Sequence, residues 1–270
     1  MLVGHHTRVD LFTRLSEADA LASGYIFFGQ AQVGKKTFAE SLGHYLEGRI
    51  FEPQPHILQE TLLVQPKNES IGIDTARKIK AYLSETPIAS SKRMVIIDNA
   101  EALTLQAENA LLKISEESPK GTLLIFIVAS PEALLGTLAS RLQKIYFGPV
   151  SDKDLEKLIT KKDLSVTKKK EFITMAGGSP GRLVELLEDK NGIEKIAEEI
   201  LTASKETRKK LVKEYLDNEE SPLALLDALL LVSFAAPKKQ TKIISGILKA
   251  KRGFSTLNLN PRLQLENIFS

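Results

Sequence analysis

The chain of 270 residues has no cysteine. That absence excludes disulfides, cysteine nucleophiles and any thiolate-held zinc. Histidine is scarce too: His5, His6, His44 and His56 are the only four, and no HExxH or comparable spacing joins them. A catalytic metal held by histidines is therefore not expected, and the four read as surface or packing residues. An excess of charge of one sign is also lacking. Lys+Arg 37 against Asp+Glu 34 leaves +3, too balanced for a protein that coats nucleic acid. The basic runs Lys161-Lys162 and Lys168-Lys169-Lys170 read as a solvated face. The longest apolar stretch, 223–234, is interrupted by Asp227 and Ser233 and is too short to cross a bilayer. The opening MLVGHHTRVD lacks the apolar core of a secretory signal. A cytoplasmic protein without membrane contact is the expectation.

What is present is ordinary for a globular protein. Hydrophobic residues make up 43% and charged residues 26%. The length corresponds to about two domains. In the first half, short apolar runs alternate with helical patterns. Strands are expected at Tyr25 to Phe28, Thr61 to Gln65, Met94 to Ile97, Leu123 to Ala129 and Lys144 to Phe147. Helices are expected from Lys35 to about Leu46, from a cap at Asp74 through Leu83, and from Leu105 to Glu116. Nearly continuous apolar strands are buried on both faces, which predicts a parallel sheet covered by helices, a doubly wound α/β layer. After Gly148-Pro149-Val150 the texture changes. Ser151 to Asp154 forms a capping box, Gly177-Gly178-Ser179-Pro180-Gly181 a turn ahead of a short helix to Leu187, and the rest reads as about four helices broken near Ser204, Ser221-Pro222, Pro237 and Pro261. The expected organisation is an α/β core over 1–149, a small helical lid over 150–190 and a helical domain over 191–270.

Gly29-xxxx-Gly34-Lys35 has the spacing of a phosphate-binding loop between an expected strand and an expected helix. Glycines let the backbone curl so that N–H groups face a phosphate, the helix N-terminus adds partial positive charge, and the lysine reaches the β- and γ-phosphates. The next position breaks the pattern. A working loop places Ser or Thr after the lysine to ligate Mg²⁺, whereas this chain has Lys36, with Thr37 one residue later. One residue of helix is a rotation of about 100°, so Thr37 does not simply take over. A second ammonium there competes with a divalent ion. The strand Val95-Ile96-Ile97 ends in Asp98, as a Walker B strand does, but the next residue is Asn99, which cannot accept a proton from an attacking water. Glu101 is expected to begin another turn.

The stretch from Met94 to Phe147 resembles the ATPase core of bacterial clamp-loader subunits, an AAA+ family of the DNA polymerase III holoenzyme, nearest its delta-prime group. The resemblance rests on Ala100, Glu101, Ala107, Asn109-Ala110-Leu111-Leu112-Lys113, Glu116, Glu117, Pro119, Thr137, Ser140 and Arg141. Ile71-Gly72-Ile73-Asp74 with Arg77, Val3-Gly4-His5, Ala176 to Arg182 and Asn260 to Glu266 resemble further family segments. The family's four-cysteine zinc module is missing, and Leu142 stands where the family has cysteine after the arginine.

The resemblance implies an AAA+ fold with lid and collar. It implies that Val3 and Gly4 lie against adenine, that Ser130 takes the sensor-1 place and that Arg182 takes the sensor-2 place. It implies above all that Arg141, with Ser140 orienting its loop, reaches as an arginine finger into the ATP site of a neighbouring subunit. Gly29, Gly34, Lys35, Lys36, Thr37 and Asp98 complete the nucleotide-site residues. ATP is the implied ligand, held weakly or not at all, with no zinc and no metal ligands assigned. The implied partners are gamma/tau motor subunits, a delta subunit and, through the assembly, the sliding clamp and primer-template DNA. The defects at Lys36 and Asn99 imply a non-hydrolysing or weakly hydrolysing subunit. The alternatives are an active gamma/tau-like motor subunit, a monomeric phosphotransferase with its own acidic base, or a diverged interaction module.

Overall fold

The computed structural model describes residues 1–67, 69–116, 121–159, 166–188, 192–217, 222–235, 243–250 and 268. Among them the first half forms α1 (His6–Glu17), β1 (Gly24–Phe28), α2 (Lys35–Gly48), β2 (Thr61–Val64), α3 (Ile73–Leu83), β3 (Arg93–Ile97), α4 (Leu105–Glu116), β4 (Thr122–Val128), α5 (Gly136–Ala139) and β5 (Gln143–Tyr146). The second half is helical: α6 (Asp152–Ile159), α7 (Val166–Ala176), α8 (Pro180–Leu187), α9 (Ile193–Thr202), α10 (Lys205–Asp217), α11 (Pro222–Ala235), and a further stretch over 243–250. None of the described helices is long and apolar enough to cross a membrane.

The five strands are parallel, in the order β2-β3-β4-β1-β5. Period-two alternation sorts their side chains into two cores. Tyr25, Phe27, Met94, Ile96, Leu123, Ile125 and Ile127 face one core with Phe12 of α1 and Phe38, Ala39 and Leu42 of α2. Ile26, Val95, Ile97, Leu124, Phe126 and Val128 face the other, with Ala76, Ile79 and Leu83 of α3 and Ala107, Leu111 and Ile114 of α4. Every residue of β3 and β4 is buried. That two-sided burial is the reason these strands read as unbroken apolar runs. The expected α/β fold is therefore present. Aromatic rings fill the first core edge to face: Phe12 and Phe27 lie 5.6 Å apart, Phe38 and Phe147 5.1 Å.

Two local expectations change, and one helix had none. The helix α1 carries few apolar residues, with Phe12 its one fully buried side chain, and its period is too faint to read from sequence. Asp74 does not cap α3. Gly72 holds the cap position, and Asp74 lies exposed in the first turn, 2.9 Å from Arg77. The strands also begin or end one residue from their expected bounds. The capping box at Ser151 forms, with the Asp154 amide donating to Ser151 Oγ at 3.3 Å.

The chain divides into two compact units, residues 1–158 with 178–181, and 159–177 with 182–270. The second has its own core. Its helix α11 is apolar nearly all round and contributes Leu225, Leu226 and Leu229, against Ala197 and Ile200 of α9, Val212 of α10 and Ile247. Glu117, Pro119, Lys161, Lys162, Ser221, Pro237 and the segment from Asn260 to Glu266 lie outside the described residues.

At the amino ends of β2 and β3 a buried ion pair closes the sheet. Arg93 Nε donates to Glu60 Oε2 at 2.8 Å, and its guanidinium lies 4.5 Å from the Tyr82 ring centre and also pairs with Glu85. Glu60 Oε1 accepts the Ile88 and Ala89 amides at 2.7 and 3.1 Å. Burial pushes the Glu60 carboxyl up, but these donors outweigh burial and hold it below its usual value. A carboxyl with a lowered folded pKa stabilises fully above the pH at which the unfolded group titrates, about 4.3. That stabilisation is lost as pH falls through the lower folded value. Glu60→Gln is therefore expected to flatten the fall of the urea midpoint below about pH 4.3, and an acid slope equal to wild type would contradict the assignment. Glu60→Ala, which strands Arg93 and two amides, is expected to cost about 3 kcal/mol at neutral pH.

Candidate functional site

In an open parallel sheet, ligands bind beyond the carboxyl ends of the strands, where crossovers leave in opposite directions. Here that point lies between β1 and β4. The chain leaves β1 through Gly29, whose φ is 133° and whose amide donates to the Ala129 carbonyl at 3.1 Å. A Cβ at Gly29 would lie 2.2 Å from the Phe147 carbonyl oxygen, so only glycine fits there. Gly34, at φ 101°, turns the loop into α2. The loop thus has the strand–loop–helix context that a phosphate cradle requires.

The loop is braced from two sides. His5 Nε2 lies 2.8 Å from the Val33 carbonyl, and its ring packs against Phe147 at 4.9 Å. Burial lowers the His5 pKa, which favours the neutral ring donating to that carbonyl. Val3 is buried, and a Cβ at Gly4 would lie 2.8 Å from Val150 Cγ1. On the other side Ser179 Oγ donates to the Ala31 carbonyl at 3.3 Å and the Gly181 amide to Gln32 O at 3.1 Å. The result is a cavity of ≈ 380 Å³ over the strand ends, lined by Gly34, Lys35, Lys36, Thr37, Asp98 and their neighbours. A hollow of similar size, ≈ 350 Å³, between α3 and α4 holds none of the expected nucleotide-site residues.

Within the cavity, Lys35 folds back into the loop. Its ammonium donates to the carbonyls of Gly29 and Gln30 at 2.5 and 2.7 Å. Burial lowers its pKa, opposed by the charges of Glu101 and Asp98. Lys36 is more exposed and faces Glu40, one turn along α2, at 4.0 Å. Burial raises the Glu40 carboxyl, Lys36 opposes that rise and the Asp98 charge adds to it. Asp98 itself accepts the Gln65 amide at 3.0 Å. Asn99 sits in left-handed backbone at φ 53° and turns the chain into a single 3-10 turn, Ala100–Ala102. That turn brings Glu101 to the cavity wall, where its charge acts on Lys35. Glu101 begins a new turn as expected, yet it belongs to the site. The sequence signal was the positive-φ-tolerant Asn99 two residues before it.

The donor set does not fit a magnesium ion. Lys36, directly after the loop lysine, is an ammonium paired with Glu40 rather than a hydroxyl, and Asp98 accepts a hydrogen bond from the Gln65 side-chain amide. Like charges about 4 Å apart repel by about 4 kcal/mol per product of unit charges near a protein surface, so a divalent ion and an ammonium do not share a site cheaply. Among the described residues, no group of three or more His, Asp or Glu could hold a metal.

Of the remaining expected residues, Ser130, Ser140 and Arg141 lie elsewhere in the first unit. Ser130 does not line the cavity. It is exposed and bonds to Glu132, while Val128 and Ala129 form the wall. Arg182, in the second unit, pairs with the buried Asp227 of α11, and its Nε is buried with no partner among the described residues. Ser140 caps α5 and donates to the Thr137 carbonyl at 3.0 Å. Arg141 lies just before β5 with its side chain 42% exposed. Its Nη1 donates to Thr137 O at 2.7 Å and its Nη2 lies 2.6 Å from Glu116 Oε1.

Comparison with known proteins places the chain in a family. The profile of a family described as "DNA polymerase III, delta subunit" matches residues 4–151. The DNA polymerase III subunit delta' of Bacillus subtilis is 32% identical over 163 residues, which cover 55% of this chain and 49% of that protein. The subunit delta' of Escherichia coli is 29% identical over 195 residues, covering 70% of this chain and 56% of that one. The chain thus spans about half the length of these relatives. Among solved structures, a DNA polymerase III gamma subunit-related protein from Thermotoga maritima superposes with a TM-score of 0.63 over 97% of both chains at 20% identity, a likeness of fold. With the profile covering more than half of its length, the chain belongs to the DNA polymerase III delta-subunit family, and its curated relatives include bacterial delta' subunits and a gamma/tau subunit of Mycoplasma genitalium, 30% identical over 181 residues that cover 61% of this chain and 30% of that one.

Proposed function

We propose that this chain is a delta'-like subunit of a replicative clamp loader that hydrolyses ATP slowly or not at all. It takes its place in a ring with gamma/tau motor subunits and a delta subunit, and it presents Arg141 to the ATP site of a neighbouring motor. The ring would open a sliding clamp and place it on primed DNA. The carrying observation is a contrast. The loop keeps the backbone of a phosphate cradle, while its metal position holds Lys36 and its base position holds Asn99, and Arg141 stands at the surface. An arginine that serves its own nucleotide would lie at the cavity. One that serves another chain must be exposed, preorganised and free to exchange partners. Arg141 meets these needs: its anchors are one carbonyl and one half-exposed carboxylate. Such exposed pairs are worth about 0–1 kcal/mol, so a phosphate oxygen competes for the guanidinium easily. The second unit, with its own core, is suited to serve as lid and collar.

Two experiments test this reading. The purified chain is expected to show no ATP turnover above background. Robust magnesium-dependent turnover that disappears in Lys35→Ala would make it a motor subunit instead. In an assembly reconstituted with motor and delta subunits, Arg141→Ala is expected to co-elute as wild type while turnover at the site it serves falls at least tenfold, a modest share of the roughly 10³–10⁵ ascribed to arginine fingers elsewhere. Unchanged turnover in a confirmed assembly would remove Arg141 from that role.

A further inference from the structure

We propose that Lys36 stands in for the divalent ion, so that the loop at Gly29 to Lys35 binds a nucleotide's polyphosphate without magnesium. This rests on the reading of the loop as a nucleotide site and names how that site is charged. An ordinary loop of this type brings a hydroxyl and a carboxylate to a magnesium ion, which neutralises the phosphates. In this chain the carboxylates remain and the hydroxyl is replaced by a cation. Glu40 and Asp98 are near enough for the Asp98 charge to act on the Glu40 carboxyl, and Lys36 faces Glu40 at 4.0 Å, the outer limit of an ion pair. The ammonium is thus loosely held, about two-fifths exposed, and lines the same cavity as Lys35 and Asp98. Lys35, by contrast, is fastened to two loop carbonyls. The cradle is braced by the chain itself. Its bends are fixed by Gly29 under the Phe147 carbonyl, and its outer carbonyls are bound by His5, Ser179 and Gly181. An anion cradle braced in this way, with a second, loosely paired cation at its edge, needs no metal to screen an incoming phosphate chain. A single positive charge screens less than a divalent ion, so binding is weaker than in a magnesium-dependent loop and falls with salt.

The test is calorimetric titration of ATP, and separately ADP, into the full-length chain, in magnesium and in EDTA. Wild type is expected to bind with dissociation constants that agree within about twofold in the two buffers. Lys36→Thr, which restores the hydroxyl, is expected to bind at least tenfold more tightly in magnesium than in EDTA. Lys36→Gln, which keeps the length and removes the charge, is expected to lose about tenfold in EDTA relative to wild type. Thermal unfolding checks that each variant folds. Should both variants misfold, the wild-type titrations decide alone. Wild-type binding that requires magnesium overturns the proposal, and so does an absence of binding in either buffer. Neither result touches the clamp-loader reading, which stands or falls on Arg141→Ala in the assembly.

Discussion

Strand β1 lies between β4 and β5, and its carboxyl end must pass beneath the Phe147 carbonyl to reach α2. Both sides of that passage are closed. Phe27 and Ile26 are fully buried in opposite cores, so the strand cannot shift by one residue without turning its large side chains into the wrong face. Gly29 admits no Cβ. The loop therefore has one available path, and the cavity above the strands follows from it. Every charged group of the site is placed relative to that path: Lys35 on the loop's own carbonyls, Lys36 one residue on, Asp98 at the end of β3, and Glu101 on the turn that Asn99 starts.

Much of this was legible in the sequence because it is carried by short-range signals. Runs such as Leu123 to Val128 cannot be solvated, and their spacing between helical stripes allows few topologies. The stripe of Ala107, Leu111 and Ile114 gave α4 with the bounds it has. The loop from Gly29 to Gly34 was legible because its glycines are required by backbone geometry. What was not legible depends on long-range placement. The helix α1 is polar on most faces and is recruited by the single deep contact of Phe12 with Tyr25, Phe27 and Phe38. The partnership of Arg182 with Asp227 joins residues 45 positions apart, and no local pattern announces it. Asp74 failed as a cap because Gly72 in extended backbone opens α3 first.

The site separates two properties usually found together. The shape of a phosphate cradle comes from glycines and from braces on its carbonyls. The capacity to hydrolyse comes from a metal donor and a base. Here the glycines and the braces are present, and on the proposed reading the second property is altered at two single positions, Lys36 and Asn99. Lys36 is half-buried on the first turn of α2, facing Glu40, and Asn99 suits the left-handed backbone that the 3-10 turn requires. Substitutions that cost the fold nothing can remove a reaction and leave the surface around it in place. On the proposed reading the chain keeps the surface that its fold offers to other chains.

On the proposed reading that surface includes Arg141, whose setting would keep an exposed arginine well aimed. Ser140 and Arg141 both bond the Thr137 carbonyl, so the short helix α5 and the turn after it are stiffened by the side chains they present. Leu138 and Ala139 anchor the same helix in the core beneath α4. The guanidinium then needs only one further contact to fix its plane, and Glu116 at the end of α4 provides it. A long side chain held at its base by packing, at mid-length by a carbonyl and at its tip by a replaceable carboxylate loses little entropy when that carboxylate is exchanged. Preorganisation of this kind lets an arginine act across an interface, because the ordering cost has been met before the partner arrives.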